Sequence, residues 1–161
     1  MIHDMLTLRP HPLLESIPCR SFATLMELYE GNYILMRRLA PRPWRLPDDN
    51  VSRVRGSVDL YLKVRERSRY TTTLSMTHYF DRDEGAVEPD LLLRVYHDAR
   101  VAEVMPDTPV ERFRLWNGRR PDPRSLDWRW EMNRFLNRWL RYCLAEGHQF
   151  AAPVNPLVDT G

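Results

Sequence analysis

The amino-acid sequence predicts an α+β domain in which an antiparallel β-meander of four to five strands lies between an N-terminal and a C-terminal helix. Three patterns predict this class. Apolar residues recur at three- and four-residue steps over residues 22–39, alternate with polar residues over 58–80, and return to helical spacing over 132–144. Grouped strands with helices at either end are typical of α+β domains. We expect both helices to pack on one face of the sheet and the polar face to stay open.

The first helix is expected to begin at Ser21, because serine is a favoured cap of helix N-termini. One face of this helix carries seven apolar side chains: Phe22, Leu25, Met26, Tyr29, Tyr33, Met36 and Leu39. Gly31 weakens the helix by up to ~1 kcal/mol without overriding this period. Pro41 and Pro43 end the helix, and residues 41–50 are interpreted as a proline-rich connector.

The middle of the chain alternates apolar and polar residues, which is typical of half-buried strands. The predicted strands cover residues 58–65, 70–80, 91–96 and 101–105, with a short fifth candidate at 112–115. In the second strand, one face carries the even-numbered residues and the other carries threonine and serine. An acidic loop at residues 81–90 precedes the third strand, and residues 97–100 form a hairpin loop after it.

The last helix has the clearest pattern in the sequence. Asp127 is its predicted N-cap and Gly147 its predicted C-cap. Its apolar stripe consists of Met132, Phe135, Leu136, Trp139, Leu140, Cys143 and Leu144. Cys143 is therefore expected to be a core thiol. Of Trp128 and Trp130, only one is expected to face the core, and the other is a candidate interface anchor.

At 161 residues the chain fits one domain, which we place at residues 21–147, between an N-terminal extension (1–20) and a C-terminal tail (148–161). No stretch approaches the ~18 apolar residues that span a bilayer, and the first 20 residues lack the features of a signal peptide. We therefore expect a cytoplasmic protein without a membrane partner. The net charge of +2 argues against nucleic acid as the partner. An exposed edge strand would permit a homodimer, but no pattern requires one.

Arginine supplies almost all of the positive charge, because Lys63 is the only lysine among 24 basic residues. A guanidinium group presents a planar set of donors that matches phosphate and carboxylate groups. Any anion site in this protein is therefore expected to be built from arginine.

Several segments together resemble one known family. They are residues 30–33, 36–39 with Pro41, 69–72, 94–99, 102–104, 133–136 and 139–145 with Gly147, of which Tyr96-His-Asp-Ala99 and Trp139-Leu-Arg-Tyr-Cys-Leu144 are the most specific. The chain resembles the YqiB-like family of proteobacterial domains of unknown function over roughly residues 22–147. The resemblance implies no activity, cofactor or catalytic residue. Genes of that family tend to lie beside a cyclic-nucleotide phosphodiesterase and a nucleotide-sugar hydrolase, so the resemblance hints at nucleotide metabolism or signalling.

Strong catalytic and cofactor motifs are absent from the sequence: it has no Gly-rich phosphate loop, Cys-x-x-Cys, His-Glu-x-x-His or Gly-x-Ser-x-Gly. No cofactor is predicted. The pair His97-Asp98 is the best candidate for chemistry, because a histidine beside a carboxylate can act as an acid or base. The favoured interpretation is a hairpin turn in which Asp98 bonds the backbone. His78 and Glu103 are the residues that would complete a metal site with His97, but the spacing demands none, and no metal is predicted.

Arginine and tyrosine are interleaved in the predicted sheet, a combination that can stack a base and hold its phosphate. The candidate residues for binding a ligand or partner are Arg69, Tyr70, Arg94, Tyr96, His97, Glu103 and Arg141. Two further basic sites are the end of the first helix, at Arg37 and Arg38, and the side of the last helix that carries Arg134, Arg138 and Arg141. The alternative is that these arginines are solvated and paired with glutamates, namely Glu30, Glu66, Glu103 and Glu131.

Three functions fit these observations. The favoured hypothesis is a non-enzymatic binding or regulatory domain, whose open sheet face contacts a protein partner or a small anionic, nucleotide-like ligand. The alternative is an enzyme that processes a nucleotide or phosphoester, with His97 as acid or base and with Arg69 and Arg94 on the phosphate. It requires His97 to face a concave pocket. The third hypothesis is an RNA-binding domain, which the near-neutral charge makes the weakest.

Overall fold

A computed structural model describes residues 21–78, 89–106, 108 and 122–151. The helices are α1 (Phe22–Leu39), a 3₁₀ helix (Pro43–Arg45) and α2 (Leu126–Glu146). The strands are β1 (Asp49–Ser52), β2 (Leu60–Arg67), β3 (Thr71–His78), β4 (Asp90–Tyr96) and β5 (Val101–Val104). The predicted extension at residues 1–20, the fifth strand at 112–115 and the acidic loop up to residue 88 lie outside the described residues.

The five strands form one antiparallel sheet in the order β1-β2-β3-β4-β5, which confirms the predicted meander. The buried faces of the two helices and of the sheet form a common core, so the α+β class is confirmed. The first strand was not predicted. Residues 49–52 lie partly within the segment interpreted as a connector, and β1 pairs Asp49–Ser52 with residues 60–63 of β2.

The outer face of the sheet is less open than we expected. β2 alternates as predicted, with Leu60, Leu62 and Val64 in the core. In β3, however, the outward residues Thr73, Ser75 and Thr77 are also buried, because side chains of the neighbouring strands bond to them. The Nε atom of Arg65 donates to Ser75 Oγ at 3.2 Å, and the Nε atom of Arg94 donates to Thr73 Oγ1 at 3.1 Å.

The helix ends follow the expected chemistry with one correction. Ser21 caps α1, and its side chain and that of Thr24 bond each other's backbone N–H groups in a capping box. Ser125, and not Asp127, caps α2, because its Oγ accepts from the N–H of Trp128 at 3.1 Å. Gly147 ends α2 with φ of 95°, a left-handed conformation that glycine adopts without strain.

The core explains the tryptophans and the free cysteine. Trp128 and Trp130 are both buried, so the expectation that only one faces the core was wrong. Trp128 belongs to the main core, whereas Trp130 packs with the N-terminal half of α1 in a second, smaller cluster. Cys143 is a buried free thiol, as predicted, and burial raises the pKa of its thiol. Within the described residues, neither helix has the length and apolarity that crossing a membrane requires.

A buried amide network joins the two helices and the edge of the sheet. Asn137 donates from its Nδ2 atom to Asn32 Oδ1 at 3.1 Å, and Asn32 donates to the backbone oxygen of Asn133 at 3.3 Å. The side chain of Asn133 accepts from the N–H of Val104 at 3.0 Å and donates to the backbone oxygen of Arg129 at 2.7 Å. These polar groups lie in the core because each of them has a partner there.

A second polar cluster lies where β3 ends. His78 is buried, and its Nδ1 accepts a hydrogen bond from Trp139 Nε1 at 2.9 Å. The ring of His148 packs against that of His78, with the two ring centroids 5.5 Å apart. Nδ1 of His148 lies 2.9 Å from Ser52 Oγ. His148 and Phe150, which follow Gly147, are both buried, and Phe150 belongs to the main core.

Candidate functional site

The topology brings two connections to one end of the sheet. In a meander, alternate connections lie at the same end, so the turn at residues 68–70 and the hairpin at residues 97–100 are neighbours. The N–H of His97 donates to the backbone oxygen of Tyr70 at 2.7 Å and ties the two together. The C-terminal end of α1 and the 3₁₀ helix meet this end of the sheet as well.

These four segments enclose a groove of about 820 Å³, which we name the cationic groove. It is lined by Tyr33, Ile34, Arg37, Arg38, Trp44, Arg69, His97 and Arg100. Its volume falls in the range of ~300–1,000 Å³ that is typical of small-ligand sites. Among the described residues, four of the eight that line the groove are arginines and none is acidic. The described lining is therefore a strongly positive concave surface, and the exposed ring of Trp44 forms an aromatic wall on it.

Arg37 lies against the ring of Trp44 in the groove, and several contacts hold its side chain in place. Its Nε donates to the backbone oxygen of Pro41 at 2.8 Å, and its Nη1 donates to Tyr33 Oη at 2.9 Å. Its guanidinium carbon lies 4.9 Å from the centroid of the Trp44 ring, within reach of a cation–π interaction. Because these contacts fix Arg37, it supplies positive charge from a preset position.

The other three arginines, Arg38, Arg69 and Arg100, have no ion-pair partner in the part of the chain that the structure describes. Arg69 lies 5.2 Å from the centroid of the Tyr70 ring, and Tyr70 is half exposed beside the groove. Elsewhere, arginines do find carboxylates, as in the pair of Arg53 with Asp59 at 3.2 Å. Three guanidinium groups without acidic partners are thus gathered at one concave place.

His97 lines the groove, but its ring nitrogens are not available to a ligand. Nε2 lies 2.8 Å from Thr72 Oγ1, and Nδ1 is buried without a hydrogen-bond partner among the described residues. Trp44 packs against the ring in an edge-on contact with the centroids 5.4 Å apart. Burial, and then the charge of Arg37, lower the pKa of His97, while Asp98 opposes this shift. His97 is therefore a neutral, packed side chain that orders the groove.

Three candidate residues lie on the other face of the sheet. Successive strand residues point to opposite faces, so Tyr96 points outward where His97 points to the groove. Tyr96 Oη donates to Glu103 Oε1 at 2.8 Å, and Arg94 bonds Thr73. Burial, and then Glu103, raise the pKa of Tyr96. The expectation that these residues rim one face together with His97 was wrong, although whether they bind a partner remains a prediction.

Glu103 also faces a tyrosine of the first helix. Burial, and then the negative charge of Glu103, raise the pKa of Tyr29 to about 12. Glu103 therefore accepts a hydrogen bond from Tyr96 and acts on Tyr29 through its charge, while Tyr29 Oη is buried without a hydrogen-bond partner among the described residues. These interactions give Glu103 a structural role, and Glu103 is not among the described residues that line the groove.

Arg141 lies apart from all of these residues, on α2. Its Nε donates to Asn137 Oδ1 at 3.1 Å, which connects it to the buried amide network. Burial, and then the charge of Arg138, lower the pKa of Arg141. The charge of Arg138 thus acts on Arg141, and neither residue is among the described residues that line the groove. Its role in binding remains a prediction.

The metal site that was considered for His78, His97 and Glu103 does not assemble. His78 and the Thr72 partner of His97 are six residues apart on β3, which corresponds to about 20 Å along a strand. Nδ1 of His78 already accepts from Trp139. Over the described residues, no group of three or more His, Cys, Asp or Glu side chains could hold a metal ion.

Sequence reasoning identified only part of the groove. Arg69 and His97 were candidates, and the basic end of α1 was noted, but Arg100 and Trp44 were missed. The signal that could have identified Arg100 is the position of its hairpin in the predicted strand order. Arg100 closes the predicted hairpin, and in a meander this hairpin must lie beside the turn that carries Arg69.

Comparison with known proteins gives a consistent family and no activity. Residues 35–149 match the family described as "Protein of unknown function (DUF1249)". The protein described as "Uncharacterized protein YqiB" in Escherichia coli strain K12 is 34% identical over 134 residues, which cover 83% of this chain and 94% of the relative. Its counterpart in E. coli O157:H7 matches with the same identity and coverage. No solved structure matches the chain.

Proposed function

The chain belongs to the DUF1249 family of proteins of unknown function, and from its geometry we propose that it is a binding domain whose cationic groove holds a small anionic ligand of the nucleotide type. One observation carries the proposal. Four guanidinium groups line a single groove that no acidic residue of the described part of the chain lines, while ordinary ion pairs occur elsewhere on the surface.

The charge arrangement supports an anionic ligand. Like charges gathered in one groove repel each other. A fold gains nothing from gathering Arg38, Arg69 and Arg100 unless an anion joins them. A phosphate group fits this set, since its oxygens can each accept a charge-assisted hydrogen bond from a guanidinium.

The aromatic wall supports a ligand that carries a ring. Trp44 remains 43% exposed and Ile34 54% exposed, although both are large apolar side chains. Apolar surface of this kind next to cations can stack a nucleobase while the arginines bind its phosphate. A nucleotide uses both parts of the groove, whereas a bare inorganic anion uses only one.

Acid–base catalysis by His97 is the weaker alternative. The groove meets the requirement for a concave pocket, but a general base must place a free nitrogen within hydrogen-bond reach of the substrate. Nε2 faces Thr72 and Nδ1 is buried. We therefore favour binding without chemistry, and a regulatory role in nucleotide signalling is an extension of the same proposal.

The proposal predicts stabilisation by nucleotides. Thermal unfolding of the full chain in the presence of purine and pyrimidine nucleotides, including cyclic ones, should show a raised midpoint with at least one of them. A ligand at ~100 times its dissociation constant adds about 2.7 kcal/mol, and each kcal/mol moves the midpoint by ~2–4 °C at this size. Arg69→Ala is expected to weaken the binding of that nucleotide at least ~10-fold, because it removes one unpaired cation from the groove.

The matched control is Arg55→Ala. Arg55 is equally exposed, but it lies in the turn between β1 and β2, at the opposite end of the sheet. The variant Arg55→Ala removes the same charge and should leave the affinity for the nucleotide within ~2-fold of that of the unmodified protein. No shift with any nucleotide at low salt, or equal weakening by the two variants, would rule out the groove as the site.

A further inference from the structure

We infer that the cationic groove recognises linked phosphates, as in a nucleoside di- or triphosphate, and that Arg100 is one of the residues that bind them. This inference rests on the proposed function and names the ligand class of the same site. Two independent features carry it: the spread of the unpaired cations over three separate segments, and the backbone conformation of Arg100.

The cations come from three places around the groove. Arg38 stands in the last turn of α1, Arg69 in the turn before β3, and Arg100 at the end of the hairpin after β4. A single phosphate carries a charge of about −1.5 to −2 at neutral pH and is a compact group. It can meet one or two of these guanidinium groups but cannot neutralise all of them. A chain of two or three phosphates provides the matching charge and length.

Arg100 adopts a left-handed backbone conformation that the hairpin turn imposes and that arginine seldom adopts. Its φ is 56°. Within the described part of the chain, Arg100 is the one non-glycine residue with a positive φ. Its N–H donates to the backbone oxygen of Tyr96 at 2.9 Å, so the turn fixes this geometry. Glycine fits such a position without strain, and asparagine or aspartate fits it more readily than arginine. The side chain is exposed and makes no hydrogen bond, ion pair or ring contact with the described residues.

A strained residue whose side chain does nothing for the fold points to a functional use. The side chain of Arg100 lines the groove together with Arg38 and Arg69, on a segment separate from both. We assign it to the phosphates beyond the first, which leaves the exposed side chains of Trp44 and Ile34 for the base.

The test is isothermal titration of the full chain, without added divalent cations, with adenosine, AMP, ADP, ATP and inorganic tripolyphosphate, and with the guanine series in parallel. Affinity should rise at least ~5-fold from the mono- to the diphosphate. The nucleoside triphosphate should bind at least ~5-fold more tightly than tripolyphosphate, because only the nucleotide uses the aromatic wall. The nucleoside should bind weakest.

The variant Arg100→Gly separates binding from folding. It should weaken ATP binding at least ~10-fold and AMP binding less than ~3-fold, while the melting temperature of the free protein stays equal or rises. Arg55→Gly is the control, because it removes the same charge at the opposite end of the sheet.

The outcomes distinguish this inference from the proposed function. Equal affinity for AMP and ATP, with both lost in Arg69→Ala, would overturn the linked-phosphate inference and leave the groove as a nucleotide site. Equal affinity for tripolyphosphate and ATP would remove the nucleoside from the recognised class. Arg100→Gly with unchanged ATP binding would overturn the role of Arg100, and no binding by any compound would overturn both proposals.

Discussion

Replacing Asn133 with alanine is expected to lower the free energy of unfolding by about 3 kcal/mol, as measured by urea denaturation at pH 7. Asn133 is fully buried, and its Oδ1 is the acceptor for the N–H of Val104 in the edge strand β5. Alanine leaves this buried N–H without its partner and leaves a cavity where the amide was. The backbone oxygen of Arg129 loses a donor as well.

The matched control for this variant is Asn50→Ala. Asn50 also donates from its side chain, to the backbone oxygens of Pro47 and Leu62, but it does so at the partly exposed edge strand β1. Water can replace these bonds, so the loss should stay below about 1 kcal/mol. If Asn133→Ala costs no more than Asn50→Ala, the amide network does not hold β5 against the helices.

Lowering the pH from 7 to 5 is expected to remove about 2 kcal/mol of stability through His78. Burial, and then the neighbouring His148, lower the pKa of His78 from 6.5 to about 4 in the folded protein. Between these two values the unfolded chain binds the proton and the folded chain does not. The contribution of neutral His78 to stability is therefore fully present above pH 6.5 and is lost progressively as the pH falls from 6.5 to 4.

The variant His78→Asn tests this cause directly. Its side-chain oxygen can still accept from Trp139 Nε1, but it does not titrate. The variant should be less stable at pH 7, because a buried ring is lost, yet its stability should fall less steeply between pH 7 and 5. His148, whose pKa burial also lowers, accounts for part of the slope that remains. Parallel pH profiles of the two proteins would contradict the assignment to His78.

The sequence was sufficient for the architecture because the pattern of burial is local. The stripe of α2 and the alternation of β2 each follow from spacing alone, and both predictions were confirmed. The short strand β1 could not be found in this way, because its four residues hydrogen-bond to β2 without an apolar alternation of their own. The cap of α2 was misplaced by two residues, since Ser125 and Asp127 are both good capping residues.

The groove was harder to predict, because it depends on which connections meet in space. Its cations lie 31 or more positions apart along the chain at Arg38, Arg69 and Arg100, and only the strand order brings them together. Tyr96 and His97 show the opposite case. They are adjacent in sequence, but Tyr96 ends β4 and bonds Glu103, whereas His97 begins the hairpin and its ring lies against Thr72.

The most direct test of the cationic groove is a titration of the isotope-labelled full chain with ATP, followed by two-dimensional amide NMR. The account predicts that the largest changes in amide chemical shift occur in and beside the groove, at Arg38, Trp44, Tyr70 and Arg100. It also predicts that the outer-face residues Arg94 and Glu103 change little. Largest changes on that outer face, or no changes at saturating ATP, would contradict the account.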